Sequence, residues 1–300
     1  MNYYKIYNII VKTNIEIYIL DKILETNNFS GQIVFDLKWE RKKIKKVEDV
    51  NVIIEDTVIS VSNSICNYII LLNDKLIKSF SDTIEEMVST LFNLPFSYIS
   101  LYYGNIIFHG SSIIGSKRAY IFCAEKGVGK TTLVSRLLHY FNFYYDDTLL
   151  VDRELRSYGG YKFLKIINPQ IPTIAKEKLL KNIQGKFYVP PNYISNYKIV
   201  KDGKILDTIF ILRRCNESKV KFKKINDFLS KKMLLLSSIV GIDYLDYKII
   251  KTIESLETFN NIMSKINVVQ INVPNDLINL DENIIIIKKY ICKESYFENN

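Results

Sequence analysis

The sequence predicts a mixed α/β fold in two parts, and three observations support this prediction. The N-terminal residues are mostly strand-like segments rich in Ile, Val, Tyr and Phe. From residue 105 onwards, strands and helices are mixed. A glycine-rich segment at 124–132 lies between a short apolar strand and an amphipathic helix. We therefore divide the chain into a strand-rich module (1–81), a connecting helix (82–104) and a main domain (105–300).

The composition excludes several classes of protein. Of the 300 residues, 48% are hydrophobic and 24% charged, which argues against disorder. No apolar stretch approaches the ~20 residues of a spanning helix, and there is no secretory signal. The four cysteines form no Cys-x-x-Cys pair, which excludes a disulfide scaffold and disfavours a structural zinc site. We expect a cytoplasmic protein that is not inserted in a membrane.

The net charge of +9 suits anionic partners, but it is interpreted in preference as a generally positive surface. The basic run Lys38–Lys46 is interpreted as a solvated hairpin loop in preference to a dock for an acidic peptide. Its few aromatic residues do not indicate a nucleic-acid platform, and we expect no nucleic-acid partner. We predict that the N-terminal module recognises substrate, with an exposed strand edge that could accept an extended peptide.

The predicted elements follow from periodicity and from turn residues. A helix should begin near Asp82, be interrupted at Pro95 and end before Gly104. Strands are predicted at Tyr3–Lys12, Ile15–Leu20, Gln32–Lys38, Val52–Val61, Asn67–Leu72, Ile106–His109, Ser111–Ile114, Ala119–Cys123, Phe143–Tyr145, Leu149–Asp152, Tyr161–Ile166, Ile205–Leu212 and Asn267–Val273. Further helices are predicted at Lys130–Phe141, Asp227–Val240, Tyr244–Ser264 and Ile284–Ile291.

The glycine-rich segment fits a phosphate-binding loop. It consists of Ala124, Glu125, Lys126, Gly127, Val128, Gly129, Lys130, Thr131 and Thr132. The glycines allow the backbone to curl so that its N–H groups point at phosphate oxygens. The lysine adds a cation, and the first threonine offers a hydroxyl to Mg²⁺. Because a strand precedes the loop and a helix follows it, the sequence predicts a nucleoside triphosphate site here.

An acidic pair, Asp146 and Asp147, follows two tyrosines downstream of the loop. Acidic residues at the end of a strand are typical of a magnesium ligand in phosphate-binding-loop proteins. One aspartate could hold the metal while the other accepts a proton, and spacing alone does not order them. Because successive strand residues point to opposite sides, both can serve one site only if the strand ends or turns there. The alternative interpretation is a solvated turn capped by Asp side chains.

The stretch Phe108–Ser112, the loop and Asp146–Asp147 together resemble the HPr kinase/phosphorylase superfamily. The resemblance is strongest to the HPr-kinase-like serine kinases of bacterial peptide-maturation clusters, such as lasso-peptide kinases. The segment Asn267–Leu277 also resembles their last strand and turn. The resemblance implies a kinase domain with a phosphate-binding loop, of the HPr kinase/phosphoenolpyruvate carboxykinase type, at 105–300. It also implies an ATP- and Mg²⁺-dependent kinase that phosphorylates a hydroxyl, expected to be Ser, on a peptide or small protein, as a tailoring enzyme for ribosomal peptides.

The resemblance also assigns site residues. His109 corresponds to the family histidine near the phosphoryl-transfer centre, and Lys130 and Thr131 correspond to the phosphate and magnesium ligands. Asp146 and Asp147 correspond to the catalytic pair, and we group Asp147 with Thr131 as the metal site.

The sequence departs from HPr kinase proper in ways that leave alternatives open. The Glu-Ile-Arg-Gly-Leu-Gly stretch is missing, and its nearest counterpart, Tyr158–Phe163, lacks both charges. A third acidic ligand could come from Asp152 or Glu154, which a solvated turn explains equally well. Arg213–Arg214 could reach phosphate or adenine, or could be merely exposed.

Two other functions stay open: a P-loop NTPase that hydrolyses nucleotide without phosphoryl transfer, and a non-catalytic nucleotide-dependent binding module in a biosynthetic complex. The acceptor, the nucleotide and the oligomeric state, with a homo-oligomer as one option, are also open.

Overall fold

The structure is a computed structural model. It describes residues 1–17, 22–23, 32–44, 49–92, 94–115, 117–161, 163–166, 180–181, 187–189, 200, 202–240, 253–275 and 280–296. These residues form a mixed α/β fold built on two large sheets, with a small third sheet. No helix in the described part of the chain combines the length and the apolar character that a membrane span requires.

The first sheet has eight strands, with the order β3-β1-β2-β4-β8-β7-β6-β5. The strands are β1 (Asn2–Ile6), β2 (Ile9–Thr13), β3 (Lys22–Ile23), β4 (Ile33–Arg41), β5 (Asn51–Glu55), β6 (Val58–Ser62), β7 (Cys66–Leu71) and β8 (Leu76–Ser81). Two segments predicted as single strands are hairpins, because the chain turns at Tyr7 (φ 57°) and at Asp56 (φ 48°). Most of the predicted Ile15–Leu20 strand lies outside the described residues, and residues 15–17 are not in a strand.

The basic run Lys38–Lys46 is only partly a loop. Residues 38–41 belong to β4, which pairs in parallel with β8, so the prediction of a hairpin loop is wrong for this half. The alternation of buried and exposed residues along β4 continues to Glu40, because successive side chains point to opposite faces of the sheet and one face meets solvent. Residues 45 and 46 lie outside the described residues.

Two helices, α1 (Ile84–Leu91) and α2 (Leu94–Tyr102), connect the sheets. The N-cap of α1 is Thr83, whose hydroxyl accepts the Glu86 N–H while the Glu86 side chain accepts the Thr83 N–H in a capping box. Pro95 lies in the first turn of α2, where its missing N–H costs nothing, so it starts a helix instead of kinking one.

The second sheet has seven strands, with the order β10-β9-β11-β12-β16-β18-β17 and an additional β10–β16 pairing. Its strands are β9 (Ile106–Gly115), β10 (Arg118–Cys123), β11 (Asn142–Val151), β12 (Arg156–Tyr161), β16 (Lys204–Cys215), β17 (Lys221–Lys224) and β18 (Asn267–Pro274). The third sheet comprises β13 (Leu164–Ile166), β14 (Leu180–Lys181) and β15 (Phe187–Val189). The remaining helices are α3 (Lys130–Leu137), α4 (Phe228–Leu236), α5 (Ile253–Lys265) and α6 (Leu280–Tyr296).

Several predicted boundaries of the second sheet change. The two predicted strands at 106–114 are one strand, β9, and those at 143–152 are also one, β11. The predicted helix Lys130–Phe141 ends at Leu137, and that at Asp227–Val240 is shorter, with Asp227 as its N-cap. The predicted helix Tyr244–Ser264 is described only from Ile253, and its first residues lie outside the described part.

The second sheet is apolar on both faces, as β10 illustrates. Ala119, Ile121 and Cys123 belong to a cluster that also contains the first sheet, α1 and α2. Tyr120 and Phe122 belong to a second cluster with α3 and α6. Because side chains alternate along a strand, this division buries both faces of the sheet. The first cluster therefore joins the N-terminal module to the main domain.

The strands β10, β16 and β18 are parallel neighbours. Their carboxyl ends therefore meet at one edge of the sheet, where ligands of open α/β sheets usually bind. Residues 124–129 leave β10 at this edge, and Arg214 and Pro274 end the neighbouring strands beside them.

Candidate functional site

The loop 124–129 joins β10 to α3, as the sequence predicts. Gly127 (φ 87°) and Gly129 (φ 106°) both have left-handed backbone conformations that L side chains rarely adopt. The Lys130 ammonium donates to the carbonyl oxygens of Ala124 (2.7 Å) and Glu125 (3.3 Å), so the lysine folds back over the loop. The helix that follows buries Leu133, Val134 and Leu137, which fixes the loop against the sheet.

The loop residues differ in their exposure. The exposed residues are Glu125, Lys126, Gly127 and Thr132, and the half-buried ones are Ala124, Val128, Lys130 and Thr131. The Arg214 guanidinium covers the end of the loop. Its Nη1 donates to the Pro274 carbonyl oxygen at 2.7 Å, and a Cβ on Gly129 would lie 3.1 Å from its Nη2. Both arginines, Arg213 and Arg214, are exposed, and Arg214 also lies beside the loop; contact of either with phosphate or adenine stays a prediction.

The acidic pair lies on a β-bulge in β11. Opposite β12, Asp146 pairs with Tyr161 and Leu149 with Gly159, so β11 carries one extra residue. Asp147 takes a φ of 75°, which is uncommon for a non-glycine residue. The strand does not end at the pair, as β11 runs on to Val151. Its backbone turns instead, and this allows both carboxylates to serve one site.

Asp146 is buried, with a relative exposure of 1%. Its Oδ1 accepts a hydrogen bond from the Ser111 hydroxyl, and its Oδ2 accepts the Lys165 backbone N–H at 2.7 Å. The Thr131 hydroxyl lies 3.2 and 3.3 Å from the two oxygens. Burial raises the pKa of the Asp146 carboxyl above its ordinary value, although the hydrogen bonds from Ser111 and the Lys165 N–H lower it.

Asp147 contacts a different set of groups. Its Oδ2 accepts a hydrogen bond from the Lys165 ammonium at 2.6 Å. Its Oδ1 lies 3.9 Å from His109 Nδ1. The His109 side chain is 44% exposed, whereas that of Asp147 is 14% exposed. Asp147 therefore stands between a buried lysine and an open edge of the site.

The stretch His109-Gly110-Ser111-Ser112 is positioned by β9. A Cβ on Gly110 would lie 2.7 Å from both the Ile121 side chain and the Phe122 carbonyl oxygen, so β10 approaches too closely for any other residue. The Ser112 hydroxyl donates to the Tyr145 carbonyl oxygen (2.9 Å) and accepts the Tyr145 N–H, which ties β9 to β11 next to the acidic pair.

The structure changes one predicted grouping. The sequence predicts Asp147 with Thr131 as the metal site, but the Thr131 hydroxyl contacts Asp146. The physical reason is the bulge, which turns Asp147 towards Lys165 and His109. His109 and Thr131 nevertheless lie at one site through these contacts and the shared contact of the acidic pair with Lys165, and Lys130 directly precedes Thr131 in the chain.

Asp152 and Glu154 could be a third acidic ligand or part of a turn, and their contacts are those of a turn. Asp152 Oδ1 accepts the N–H groups of Glu154 and Arg156, both at 2.9 Å. Glu154 pairs with Arg156 on the surface. These contacts leave Asp152 as a turn-capping residue.

The donor set fits a hard cation such as Mg²⁺, provided that a nucleotide supplies further oxygens. Thr131 and Asp146 offer a hydroxyl and a carboxylate side by side, and Mg²⁺ usually takes only one or two carboxylates together with substrate phosphates. Among the described residues, no group of three or more His, Cys, Asp and Glu could hold a metal ion by itself.

Sequence reasoning missed Lys165. The residue lies in the short strand β13, and its contacts depend on the bulge in β11 and on the placement of β13. No local sequence signal marks either feature.

No family model and no curated protein match this chain. Among solved structures, the chain is similar to the Hpr(Ser) kinase/phosphatase from Coxiella burnetii, over 65% of this chain and 99% of that chain. The sequence identity is 11% and the TM-score is 0.33. At these values the function has to be inferred from the site itself.

Proposed function

We propose that this protein is an ATP- and Mg²⁺-dependent kinase that phosphorylates a hydroxyl, expected to be Ser, on a peptide or small protein. The observation that carries the proposal is the division of the acidic pair. Asp146 contacts the Thr131 hydroxyl beside the phosphate-binding loop, whereas Asp147 faces the open edge next to His109. A nucleotide-binding module needs only the first arrangement, and a phosphotransferase needs both.

The loop and its lysine would bind the phosphates of ATP. Lys130 now donates to two loop carbonyl groups, and it can exchange these for phosphoryl oxygens without leaving its place. Arg214 provides a second cation over Gly129. The N-terminus of α3 adds its partial positive charge at the same point.

Thr131 and Asp146 would hold Mg²⁺. The cation, when bound, supplies charge neutralisation for the phosphates. Ser111 and the Lys165 N–H fix the Asp146 carboxylate in place, so it does not have to reorganise when the cation binds.

Asp147 would accept the proton of the acceptor hydroxyl. Its Oδ1 lies on the side of His109, whose half-exposed side chain is in contact with solvent. A carboxylate within hydrogen-bond reach of a hydroxyl acts as a general base, which contributes ~10²–10⁴-fold to rate. The assignment of peptides as acceptors, and of ribosomal-peptide tailoring as the pathway class, comes from the sequence resemblance.

Intact-mass analysis tests the proposal. The protein is incubated with ATP, Mg²⁺ and Ser-containing peptides encoded next to its gene. We expect a peptide to gain one phosphoryl group, and we expect Lys130→Ala to abolish the gain. Lys232→Ala, which removes an exposed lysine on α4, serves as the matched control and should transfer normally. Release of inorganic phosphate without a mass gain would indicate a hydrolase, and nucleotide binding without turnover would indicate a binding module; either result contradicts the proposal.

A further inference from the structure

Lys165 connects the two carboxylates of the site. Its backbone N–H donates to Asp146 Oδ2 at 2.7 Å, and its ammonium donates to Asp147 Oδ2 at 2.6 Å. The residue lies on β13, which packs against both β11 and the helix α3 that follows the phosphate-binding loop. One residue thus contacts the site through two independent groups, one in the main chain and one in the side chain.

The Lys165 side chain is only 9% exposed. Lysine is among the residues that proteins bury least often, because its ammonium loses hydration. A buried lysine is tolerated only when an opposite charge or hydrogen bonds compensate for this loss. Here the opposite charge comes from Asp147, which is itself mostly buried. The pair therefore holds its geometry more rigidly than an exposed ion pair would.

The geometry of the pair orients the Asp147 carboxylate. Lys165 occupies the side of Oδ2, and the other oxygen, Oδ1, faces His109 at 3.9 Å. The His109 side chain is half-exposed, so Oδ1 points towards the edge of the site that solvent reaches. Rotation of the carboxylate would break the contact with the ammonium.

We propose that Lys165 is a positioning residue for the acceptor side of the reaction: by holding Asp147 Oδ2, it aims Asp147 Oδ1 at the incoming hydroxyl. This inference rests on the proposed function. In the transfer step, the acceptor oxygen forms a bond to the γ-phosphorus, and the bond between that phosphorus and the β–γ bridging oxygen breaks, leaving ADP. The acceptor proton moves to Asp147 Oδ1. The same residue steadies Asp146 through its N–H, which any side-chain substitution leaves in place.

Kinetics of two substitutions test the role. Lys165→Met removes the ammonium but keeps a long side chain, and Lys165→Arg keeps the charge. We expect Lys165→Met to lower kcat for peptide phosphorylation by ~10–100-fold, as for other residues that orient a functional group. The KM for ATP should stay within about twofold, since the phosphate-binding loop is untouched. Lys165→Arg should recover part of the loss. Lys221→Met, which breaks an exposed Lys221–Glu217 pair, should change neither parameter.

A double substitution separates positioning from a direct role. If Lys165 acts only through Asp147, Lys165→Met should cause no further loss of kcat in the Asp147→Asn background, because coupled residues are not additive. A raised KM for ATP at unchanged kcat would instead make Lys165 a phosphate ligand. That outcome, or full kcat in Lys165→Met, would overturn the inference.

Thermal unfolding without nucleotide provides a readout independent of turnover. Each single change, Lys165→Met or Asp147→Asn, removes one partner of the buried Lys165–Asp147 pair and should lower Tm. The double variant removes both charges, so its Tm should exceed the value expected from adding the two single effects. Additive Tm changes would contradict the pairing on which the inference rests.

The two sets of measurements distinguish failure of the inference from failure of the proposed function. If the wild-type protein phosphorylates no peptide while the Tm cycle shows coupling, the proposed function fails, and the positioning role fails with it. If the wild type is active and Lys165→Met is equally active, only the role of Lys165 is wrong.

Discussion

Gly129 combines a left-handed backbone with a close neighbour. Its φ is 106°, and a Cβ would lie 3.1 Å from Arg214 Nη2. We expect Gly129→Ala to cost about 1–2 kcal/mol of stability from backbone strain. We also expect it to weaken ATP binding by about tenfold or more, because Arg214 and the loop must shift where the phosphates would lie. Isothermal titration with ATP and Mg²⁺ measures this effect.

The control is Gly203→Ala. Gly203 has a φ of 78°, and a Cβ there would meet no atom closer than 3.8 Å. In thermal unfolding this variant should lose about as much stability as Gly129→Ala, but its affinity for ATP should equal that of the wild type. Equal affinities of the two variants would show that Gly129 has no special place in a nucleotide site.

Asp146 should make the stability of the ligand-free protein depend on pH. Burial raises its pKa above the ordinary 3.8, so the folded state binds a proton more readily than the unfolded chain does. Its favourable contribution is complete below the ordinary pKa and is lost as the pH rises through the raised folded pKa. The stability of the wild type relative to Asp146→Asn should therefore fall as the pH rises above about 4. Urea unfolding of both proteins without Mg²⁺ measures this difference. If the wild type instead became more stable relative to Asp146→Asn as the pH rose, burial would not raise the pKa of Asp146.

At the residue scale, the sequence predicts the consecutive parts of the site well. Residues 124–132 form one loop and one helix start, so their proximity follows from chain connectivity. The acidic pair is predicted from its place downstream of the loop, whereas His109 is included only through the family resemblance. Which aspartate meets Thr131 could not be predicted, because it depends on the single extra residue of the bulge.

The turn of the β1–β2 hairpin contacts β11 directly after the acidic pair. The hydroxyl of Tyr7, at its turn, lies 2.7 Å from Thr148 Oγ1 and 3.0 Å from the Phe92 carbonyl oxygen. The Tyr7 N–H donates to the Gly159 carbonyl oxygen at 3.3 Å. Thr148 directly follows Asp147, so this hairpin of the first sheet fixes the end of the bulge.

We expect Tyr7→Phe to destabilise the protein by about 1–3 kcal/mol, because the buried hydrogen bonds of the Tyr7 hydroxyl with Thr148 Oγ1 and the Phe92 carbonyl oxygen are lost. The corresponding fall in Tm should be accompanied by a lower kcat, since the bulge carrying Asp147 loses support. Differential scanning calorimetry and the peptide assay measure these effects. Tyr140→Phe is the matched control, as Tyr140 is 44% exposed and should tolerate the change. Equal Tm values for the two variants would argue against a supporting role of the hairpin.

At the scale of elements, the type of each long segment was predictable but its continuity was not. Asp and Asn are depleted in strands, so the sequence predicts that the acidic pair separates two strands, Phe143–Tyr145 and Leu149–Asp152. The structure accommodates the pair inside β11, because the bulge removes one residue from the ladder and the partner strands continue past it. Tyr3–Lys12 shows the opposite error, since its uniform β-forming composition hides a turn.

At the scale of the molecule, the first sheet and the main domain share one apolar cluster. Residues of the first sheet, α1, α2 and β9 all belong to it, among them Phe35, Phe92 and Phe108. The mixed α/β architecture with a strand-rich first part was predictable from composition and periodicity. The extent of this shared core was not, because no local signal reports which faces pack together. Substrate recognition by the N-terminal module stays a prediction.

A protein that starts at Asp82 should fail to fold. It would expose the buried side chains of α1 and α2, including Phe92 and Phe96, and would lose the Tyr7 contacts. Each large apolar side chain that becomes exposed costs ~1.5–3 kcal/mol, and typical domain stability is only ~5–15 kcal/mol, so exposing several of them should unfold the fragment. Near-ultraviolet circular dichroism and size-exclusion chromatography test this expectation. A monomeric fragment with a cooperative unfolding transition would show that the main domain is independent.

Asp146 should act as the metal ligand and Asp147 as the general base, and the dependence of phosphoryl transfer on Mg²⁺ separates these two roles. Transfer to the peptide is measured over a range of Mg²⁺ concentrations for the wild type, Asp146→Asn and Asp147→Asn. We expect Asp146→Asn to require at least about tenfold more Mg²⁺, because a ligand adjoining Thr131 is lost. Asp147→Asn should keep the wild-type Mg²⁺ requirement and transfer ~10²–10⁴-fold more slowly, as expected for loss of a base. The two roles would be wrong if Asp147→Asn raised the Mg²⁺ requirement while Asp146→Asn only slowed transfer, or if both variants kept normal rates and a normal Mg²⁺ requirement.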